Sequence, residues 1–233
     1  ISCFDDRMQG IARSTAKIMS SAGIDFGVLG KAERDSGHEV RRFGEEMLFQ
    51  DLKDRNTDAI LNCGATKIIT ADPHAYNALK KDYRDIPPVE HISQTIVQNV
   101  KSGKIRLKAV TDSDKTYVYH DPCYLGRHNS LYDDPREAID AVPGLKRVEM
   151  EGNCRDRSFC CGGGGLMLFY EPEEDQRMGV LRVEMAQNAG ADVIVTACPF
   201  CLVNIEDAIK VAGLEGEMEA IDLCELIEQH MIK

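Results

Sequence analysis

The nine residues VIVTACPFC, from Val193 to Cys201, join a run of apolar residues to a Cys-Pro step and a CxxC motif. A short apolar run of this kind predicts a buried strand, and a proline is favoured in the first turn of a helix. The stretch therefore predicts a strand that ends at the start of a helix, with Cys198 and Cys201 at the junction. Strands that alternate with helices are typical of parallel α/β sheets.

The same pattern occurs in the first half of the chain. IITADPHA, residues 68–75, matches VIVTACPFC, with Asp72-Pro73 in the place of Cys198-Pro199. Asp35-Ser36-Gly37 precedes the first copy at nearly the distance at which Cys160-Cys161-Gly162 precedes the second. We therefore predict an α/β fold of two pseudo-symmetric parallel α/β modules, 1–112 and 113–233, produced by an internal duplication.

The periodicity of apolar residues predicts the individual elements. In the first module we expect helices over 5–22, 39–55 and 92–101, a helix from Pro73, and strands over 26–29 and 67–71. In the second we expect strands over 117–120, 147–150 and 193–197, helices from Pro135, Pro172 and Pro199, and a last helix over 221–232. Inward-facing positions in the 39–55 helix are Val40, Phe43, Met47 and Leu48.

Composition limits the function of the chain. Its 233 residues carry a net charge of −11, which gives no electrostatic reason to bind nucleic acid or an anionic membrane. No apolar stretch reaches bilayer length and no signal peptide is visible, so we expect a cytoplasmic protein. Nine cysteines in clusters indicate metal ligands in a reducing compartment rather than a secreted disulfide scaffold.

Five cysteines of the second module follow strands or begin helices. In a parallel sheet such positions converge at one edge, and thiolates there suit iron–sulfur clusters or zinc. Free N–H groups at helix N-termini stabilise their charge. Gly162 and Gly163, in the run of four glycines after the CC pair, let the backbone approach and donate N–H groups to a bound cofactor. The five candidate ligands are Cys123, Cys160, Cys161, Cys198 and Cys201.

Two other cofactor classes compete with this interpretation. A structural zinc site needs four ligands, so five converging cysteines favour an iron–sulfur cluster, although zinc with one spare thiol stays open. The glycine run could belong to a phosphate-binding loop, but it lacks the GK[ST] ending and the GxGxxG spacing. We therefore expect neither flavin nor NAD to be bound by this chain.

At these residues the sequence resembles the cysteine-rich CCG-domain family. HDPCYLGR (120–127), SFCCGGGG (158–165) and TACPFC (196–201) follow its pattern C-x36-CCG-x35-CPxC, and DDRMQGIARS (5–14) and RRFGEEMLFQ (41–50) look like its first repeat. The family includes the B and D subunits of heterodisulfide reductases, and subunits of succinate or fumarate, lactate and glycolate oxidoreductases. The resemblance implies one [4Fe–4S] cluster held by the five cysteines, with a non-cubane form left open.

The first repeat departs from the family pattern. Asp35-Ser36 replaces CC, Asp72 and Ala75 replace the cysteines of CPxC, and only Cys3 is left as a ligand. The resemblance with a single cluster implies an iron–sulfur electron-transfer subunit of a multi-subunit, anaerobic, heterodisulfide reductase-like oxidoreductase. Catalysis of disulfide, thiol or quinone reduction by the cluster itself, and a zinc-bound structural subunit, are the alternatives. The expected partners are ferredoxin-like or flavoprotein subunits, with a membrane or quinone-linked partner also open.

Several further residues are candidates, although no catalytic residue is identified. Asp35, His38, Asp72 and His74, near the lost ligand positions, could bind a metal or move protons, or could simply be polar replacements at a solvated edge. His120-Asp121 could relay a proton or hydrogen-bond the loop, and Arg127 could pair with cofactor charge, Asp133 or Asp134. We expect structural roles for Cys63 (buried), Cys154 (loop) and Cys224 (core).

Overall fold

The computed structural model describes residues 6–110, 114–170, 173 and 177–232. Its described strands form two parallel sheets, which confirms the predicted α/β class. In the first sheet, β1 (Ile68–Thr70) pairs with β2 (Val89–His91). The second sheet has the order β4-β3-β5-β6. Its strands are β3 (Thr116–His120), β4 (Lys146–Val148), β5 (Val193–Thr196) and β6 (Glu219–Asp222).

Helices connect and cover these strands, as parallel pairing requires. In the first half they are α1 (Gln9–Ser21), α2 (His38–Phe43), α3 (Glu46–Asn62), α4 (Pro73–Lys81) and α5 (Ile92–Lys101). In the second half they are α6 (Asp133–Asp140), α7 (Met178–Asn188), α8 (Pro199–Val211) and α9 (Leu223–His230).

The central strands β3 and β5 are buried at every position, because helices cover both faces of their sheet. Alternate residues of β5 enter two different cores. Val193 and Val195 belong to the core that contains residues of α1, α5 and α9, whereas Ile194 belongs to the core that contains residues of α7 and α8. The first of these cores therefore joins the two halves of the chain.

The two halves repeat one order of elements, β1-α4-β2-α5 and β5-α8-β6-α9. The helices α4 and α8 both begin with proline, after Asp72 and Cys198 respectively. Asp72 caps its helix by accepting a hydrogen bond from the backbone N–H of His74 at 2.8 Å, whereas Cys198 makes no side-chain cap. The Cys198 thiol therefore remains available for other partners.

Two predictions for the first half are wrong. Residues 24–29 form no strand, and Val28 is 82% exposed, because Gly23, Gly27 and Gly30 interrupt the short apolar run. The predicted helix over 39–55 is divided at Gly44, whose left-handed φ of 103° ends α2.

The division of that helix changes which side chains face inward. Phe43, Met47 and Leu48 are exposed and Val40 is only half-buried, while Phe49 and Ile60 enter the interior. The predicted inward set was therefore wrong for three residues. Apolar periodicity predicts one inward face only for a continuous helix. At a left-handed glycine the helix axis changes, so the side chains that follow face a different direction.

The remaining differences lie at element boundaries. The strands β2 and β6 were not predicted, because each is short and carries a glutamate. The last helix was expected from residue 221 and begins at Leu223. The helix expected from Pro172 begins at Met178 in the structure, and Pro172 lies outside the described residues.

Candidate metal centre

The five candidate cysteines come from three segments at the carboxyl ends of neighbouring strands. Cys123 lies in the turn after β3, and Cys198 and Cys201 lie at the cap and in the first turn of α8, which follows β5. Because β3 and β5 are adjacent in the sheet, these segments meet. Cys160 and Cys161 reach the same place from the loop before α7.

The five thiols form one continuous set of contacts, which we call the cysteine group. Cys123 is hydrogen-bonded to Cys160, which is bonded to Cys161. The Sγ atoms of Cys161 and Cys201 are 3.3 Å apart, and Cys201 is bonded in turn to Cys198. The cysteines of the described residues are all free thiols. The structure thus brings together all five residues that the sequence singled out.

The hydrogen bonds divide the cysteine group into donors and acceptors. Hydrogen bonds from Cys123 and Cys161 lower the pKa of Cys160 to about 2. Burial opposes ionisation of Cys198, but hydrogen bonds from Cys201 and His74 lower its pKa to about 6. Donation raises the pKa values of Cys123, Cys161 and Cys201. The arrangement therefore favours thiolate, the form that binds metal, at Cys160 and Cys198, and the protonated thiol at the other three.

The glycine run lies directly against the sulfurs. The backbone N–H groups of Gly162 and Gly163 donate to the Sγ atoms of Cys160 and Cys161 at 3.3 and 3.5 Å. Gly162 has a φ of 89°, and an added Cβ would lie 3.0 Å from the Cβ of Met178. A side chain here would therefore be both strained and crowded, and glycine is needed for the close approach.

His120 lies beside the cysteine group and keeps an unpaired N–H. The Nε of the buried Arg182 lies 2.9 Å from Nδ1 of His120; a guanidinium can only donate, so Nδ1 accepts and Nε2 carries the hydrogen. Nε2 has no hydrogen-bond partner among the described residues, and a ring nitrogen of His120 lies within 4.8 Å of the Cys161 and Cys201 sulfurs. Burial and then Arg182 lower the pKa of His120 to about 3, so the ring is neutral.

A buried ion network supports the loops that carry the cysteines. Arg136 donates two hydrogen bonds to Asp121, at 2.6 and 2.8 Å, and two more to Glu149. Asp121 also accepts the backbone N–H of Arg155 at 2.8 Å, so it ties the loop before Cys160 to the end of β3. The sequence left two roles open for His120-Asp121, a proton relay and hydrogen bonding of the loop. The contacts of Asp121 are those of a residue that holds the loop.

Arg127 supports the same loop. It donates to the backbone carbonyl of Ser158 at 2.6 Å, and Asp133 is paired instead with Arg155. The sequence pattern therefore identified Asp121 and Arg127 but missed Arg136 and Arg182. In the sequence, the only feature that could have identified Arg136 and Arg182 was that each occurs among the inward-facing residues of its helix.

Three side chains of the first module, His38, Glu39 and His74, form a buried polar trio beside the cysteine group. Glu39 Oε1 lies 3.7 Å from His38 Nε2 and is hydrogen-bonded to Nδ1 of His74. Glu39 Oε2 accepts from the backbone N–H groups of Gly165 and Leu166 in the glycine loop. His74 also bonds Cys198 and stacks on Phe200, with ring centroids 4.4 Å apart.

The protonation of the polar trio follows from its contacts. Burial and then His74 lower the pKa of His38 to about 3. Burial also opposes the charge of His74, but its hydrogen bonds with Cys198 and Glu39 raise its pKa well above the usual range. Burial is the largest influence on Glu39 and raises its pKa, but the hydrogen bond to His74, the charge of that ring and the Gly165 N–H together lower it. A carboxylate and an imidazolium therefore face each other, with a neutral imidazole beside them.

The trio only partly matches the residues proposed for the degenerate half. His38 and His74 take part, but Glu39 was missed, and its only signal was an acid next to His38 at a helix start. Asp35 and Asp72 are elsewhere: each accepts a backbone N–H, from Gly37 at 2.7 Å and from His74 at 2.8 Å. Both behave as turn and cap residues.

Comparison with known proteins identifies the family. Residues 1–80 and 117–206 match the model of the CCG family, described as a cysteine-rich domain. The chain belongs to the CCG family. The two matched segments are the two CCG repeats, which fits the duplication read from the sequence. The first repeat is the one that lacks the CC pair and the CPxC motif.

Curated relatives of this CCG protein are redox proteins by name. It is 39% identical over 232 residues to the "Probable iron-sulfur-binding oxidoreductase FadF" of Bacillus subtilis, covering 98% of this chain and 32% of that protein. It is 34% identical to the "EtfAB:quinone oxidoreductase" of Syntrophomonas wolfei, covering 98% and 33%. It is 32% identical to the D-type subunit of the dihydromethanophenazine:CoB–CoM heterodisulfide reductase of Methanosarcina barkeri, covering 94% and 54%. The chain thus spans about a third to a half of these relatives.

Three further cysteines of this CCG protein that the structure describes stand apart from the cysteine group. Cys224 is buried in the core, as expected, with its Sγ 3.5 Å from Thr15 Oγ1. Cys154 lies in the loop before Cys160, also as expected. Cys63 is exposed at the end of α3, so its predicted burial is wrong; it follows the helix rather than entering β1. Cys3 lies outside the described residues.

The donor chemistry of the cysteine group fits an iron–sulfur cluster. Five thiols exceed the four that a tetrahedral zinc site uses. Backbone N–H groups point at two of the sulfurs, and His120 places a further donor beside two of them. Hydrogen bonds of this kind are those that tune such clusters. Within the described residues, no helix is long and apolar enough to cross a membrane.

Proposed function

We propose that this chain holds one [4Fe–4S] cluster through Cys123, Cys160, Cys161, Cys198 and Cys201 and carries electrons within a multi-subunit oxidoreductase. One observation carries the proposal: five thiols from three separate segments meet in a single buried group against backbone N–H donors. Thiolates are the protein ligands of such clusters. The iron–sulfur name of the Bacillus subtilis relative supports the same cofactor.

The number of thiols bears on the form of the cluster. A cubane [4Fe–4S] cluster uses four cysteines, so one member of the cysteine group would be left as an unused buried thiol. No single cysteine is set apart by its contacts, since each is hydrogen-bonded to another of the group. We therefore favour the five-ligand, non-cubane form that the family resemblance implies.

The chain's own residues set the electrostatics of the site. When bound, the cluster would supply one-electron redox chemistry. Gly162 and Gly163 donate N–H groups to sulfur, and Nε2 of His120 adds another donor, so negative charge on the sulfurs is stabilised. Cys198 and Cys201 lie at the N-terminal end of α8, where the helix dipole acts in the same direction. These contacts favour the more negative, reduced state.

Electron donors and acceptors are proposed from the relatives. The chain spans only about a third of the quinone-linked relative and about half of the heterodisulfide reductase relative. We propose that electrons come from a flavoprotein or ferredoxin-like partner, that a quinone- or thiol-linked partner accepts them, and that the chain works on the cytoplasmic side. Any flavin would belong to a partner, in keeping with the lack of a nucleotide-binding fingerprint in this sequence.

Iron and acid-labile sulfide analysis of anaerobically purified protein, together with EPR, tests this proposal. We expect a brown protein with about four iron and four sulfide per chain, and a paramagnetic signal in one redox state. Oxidation with disulfides and with quinones then identifies the class of acceptor. A colourless protein that contains zinc and no iron would overturn the proposed function.

A further inference from the structure

The polar trio has the composition of a metal site in its own right. Its members are His38, Glu39 and His74, which are 1%, 7% and 3% exposed. One donor atom from each lies within 4.8 Å of the other two. In a tetrahedral site with bonds of about 2.0–2.2 Å, ligand atoms are about 3.3–3.6 Å apart. The separation of 3.7 Å between His38 Nε2 and Glu39 Oε1 is close to that value.

His38 is the residue that a purely structural role does not explain. Both of its ring nitrogens are buried without a hydrogen-bond partner in the part of the chain that the structure describes. Leaving a buried polar atom unpaired costs about 1–3 kcal/mol. A neutral imidazole with an unused lone pair is also the form that binds a transition metal. The orphaned ring therefore points to a ligand rather than to a packing role.

Surrounding contacts fix the other two members as ligands are fixed in metal sites. The second carboxylate oxygen of Glu39 is held by the N–H groups of Gly165 and Leu166, which leaves Oε1 directed at the histidines. The His74 ring is stacked on Phe200 with an interplanar angle of 4°. Outer contacts that orient imidazole and carboxylate ligands in this way are typical of metal centres.

We propose that His38, Glu39 and His74 bind a divalent first-row transition-metal ion, at a second site distinct from the cysteine group. Two imidazole nitrogens and one carboxylate oxygen suit zinc and its neighbours better than magnesium or calcium. The ion takes the place of the proton between His74 Nδ1 and Glu39 Oε1, and that proton is released to solvent. Three protein ligands leave a coordination position for water. Because His74 also bonds Cys198, one imidazole ring connects this ion to the cysteine group.

Zinc binding to the anaerobically purified, iron-loaded chain tests the site. One equivalent of Zn²⁺ is added, excess metal is removed, and zinc, iron and sulfide are measured. We expect about one zinc per chain, with nitrogen and oxygen neighbours at about 2.0–2.1 Å in zinc-edge X-ray absorption and no sulfur at about 2.3 Å. His38→Phe and Glu39→Gln should each weaken zinc binding at least tenfold while leaving iron and sulfide unchanged.

His128→Asn is the matched control, since His128 is an exposed ring stacked on Tyr124, the residue that also contacts His38 and His74. It should retain full zinc binding. Failure of the wild-type chain to bind zinc, equal binding by the His38 and Glu39 variants, or sulfur neighbours around zinc would overturn the second site. Absence of iron would instead overturn the proposed function, and zinc with only nitrogen and oxygen neighbours would still support the trio.

Discussion

The two halves of this molecule share a frame and differ in what the frame carries. At the start of α4, the Asp72 carboxylate accepts the N–H of His74 and serves the helix. At the corresponding place in the second half, Cys198 leaves its helix uncapped and contacts Cys201 and His74 instead. One strand–proline–helix junction therefore either stabilises its own helix or presents a thiol, and a single residue decides which.

The first half, which lacks the CC and CPxC cysteines, still contributes side chains next to the cysteine group. His38, Glu39 and His74 reach across to the glycine loop and to Cys198 of the other half. The first edge, which lacks those cysteines, therefore forms part of the wall of the cysteine group. The difference teaches that in a duplicated fold the inactive copy can shape the environment of the active one.

Exchanging the two junction residues for serine gives the largest expected effect. Cys198→Ser removes a thiolate and should abolish cluster binding, because serine is a poor ligand for iron–sulfur centres. Asp72→Ser should retain the cluster, since serine is an equally good helix cap. Iron and sulfide content after anaerobic purification measures both. Equal iron in the two variants would mean that the halves do not differ as proposed.

The buried ion network is the next feature to break, because it supports the loops of the second half. Asp121→Asn leaves the buried Arg136 with only the partly exposed Glu149 as a charged partner and weakens the tie to Arg155. Breaking a buried pair in this way costs about 3–5 kcal/mol. In a chain of this size we expect the melting temperature to fall by roughly 10 °C or more.

An exposed ion pair supplies the control for this prediction. Lys17 and Glu228 are 2.8 Å apart, and Lys17 is more than half exposed. Lys17→Gln should change stability by about 1 kcal/mol or less. If differential scanning calorimetry gives similar shifts for both variants, Asp121 is not a structural support of the cysteine loops.

The sequence predicted those parts of the molecule where local pattern and global fold agree. VIVTACPFC became β5 and the start of α8, because a buried strand and a proline-led helix are both encoded locally. The meeting of the five cysteines could be predicted for the same reason, since parallel topology brings strand ends together. The prediction of a strand over residues 26–29 was wrong, because this short apolar run lies between glycines and pairs with no described strand.

Contacts between residues far apart in the sequence could not be predicted from apolar periodicity or motif spacing. Glu39 meets the backbone of Gly165 and Leu166, and Arg182 meets His120, across separations of more than 60 residues. Neither contact leaves a periodic signal, because each depends on how separate elements pack in the fold. Gly44 shows the local counterpart: one left-handed residue turned the predicted inward face of a helix outward.

The caps of α5 and α9 offer a comparison by pH. Asp222 caps α9 by accepting the Cys224 N–H at 2.7 Å, and burial raises its pKa to about 8. An unfolded aspartate releases its proton near pH 4, so stability falls as the pH rises from about 4 to 8 and is level above that. Asp222→Asn keeps the cap and removes this slope, which amounts to on the order of 2–4 kcal/mol between pH 5 and 8.

His91, the corresponding cap of α5, should behave in the opposite sense. Burial lowers its pKa to about 3, and an unfolded histidine binds a proton below about pH 6.5, so stability falls as the pH drops from 6.5 towards 3. His91→Asn should therefore flatten the acid side of the profile. Melting temperatures between pH 4 and 8 measure both variants, and slopes of the same sign would refute the assignment.

The smallest expected effect concerns how the second half tunes its site. Nε2 of His120 carries an unpaired hydrogen, and the ring lies beside the Cys161 and Cys201 sulfurs, so we expect it to donate to sulfur when the cluster is bound. A hydrogen bond to a charged group contributes about 1.5–3 kcal/mol; if only part of that differs between redox states, the midpoint potential shifts by on the order of 50 mV. His120→Leu should therefore lower the potential, since loss of the donor destabilises the more negative, reduced state.

His120→Gln distinguishes this tuning from a change in packing. Glutamine retains an N–H donor of similar reach, so its potential should lie between those of the wild type and the leucine variant. Redox titration followed by EPR measures all three, with iron content as the check that each is loaded. Leucine also removes the acceptor of the Arg182 Nε hydrogen. If the potential shifts because the site loosens, both variants should shift by a similar amount. A midpoint potential for the glutamine variant between those of the wild type and the leucine variant would instead assign the effect to the hydrogen bond. The second half would then supply both the cluster ligands and a donor that sets the potential of the cluster.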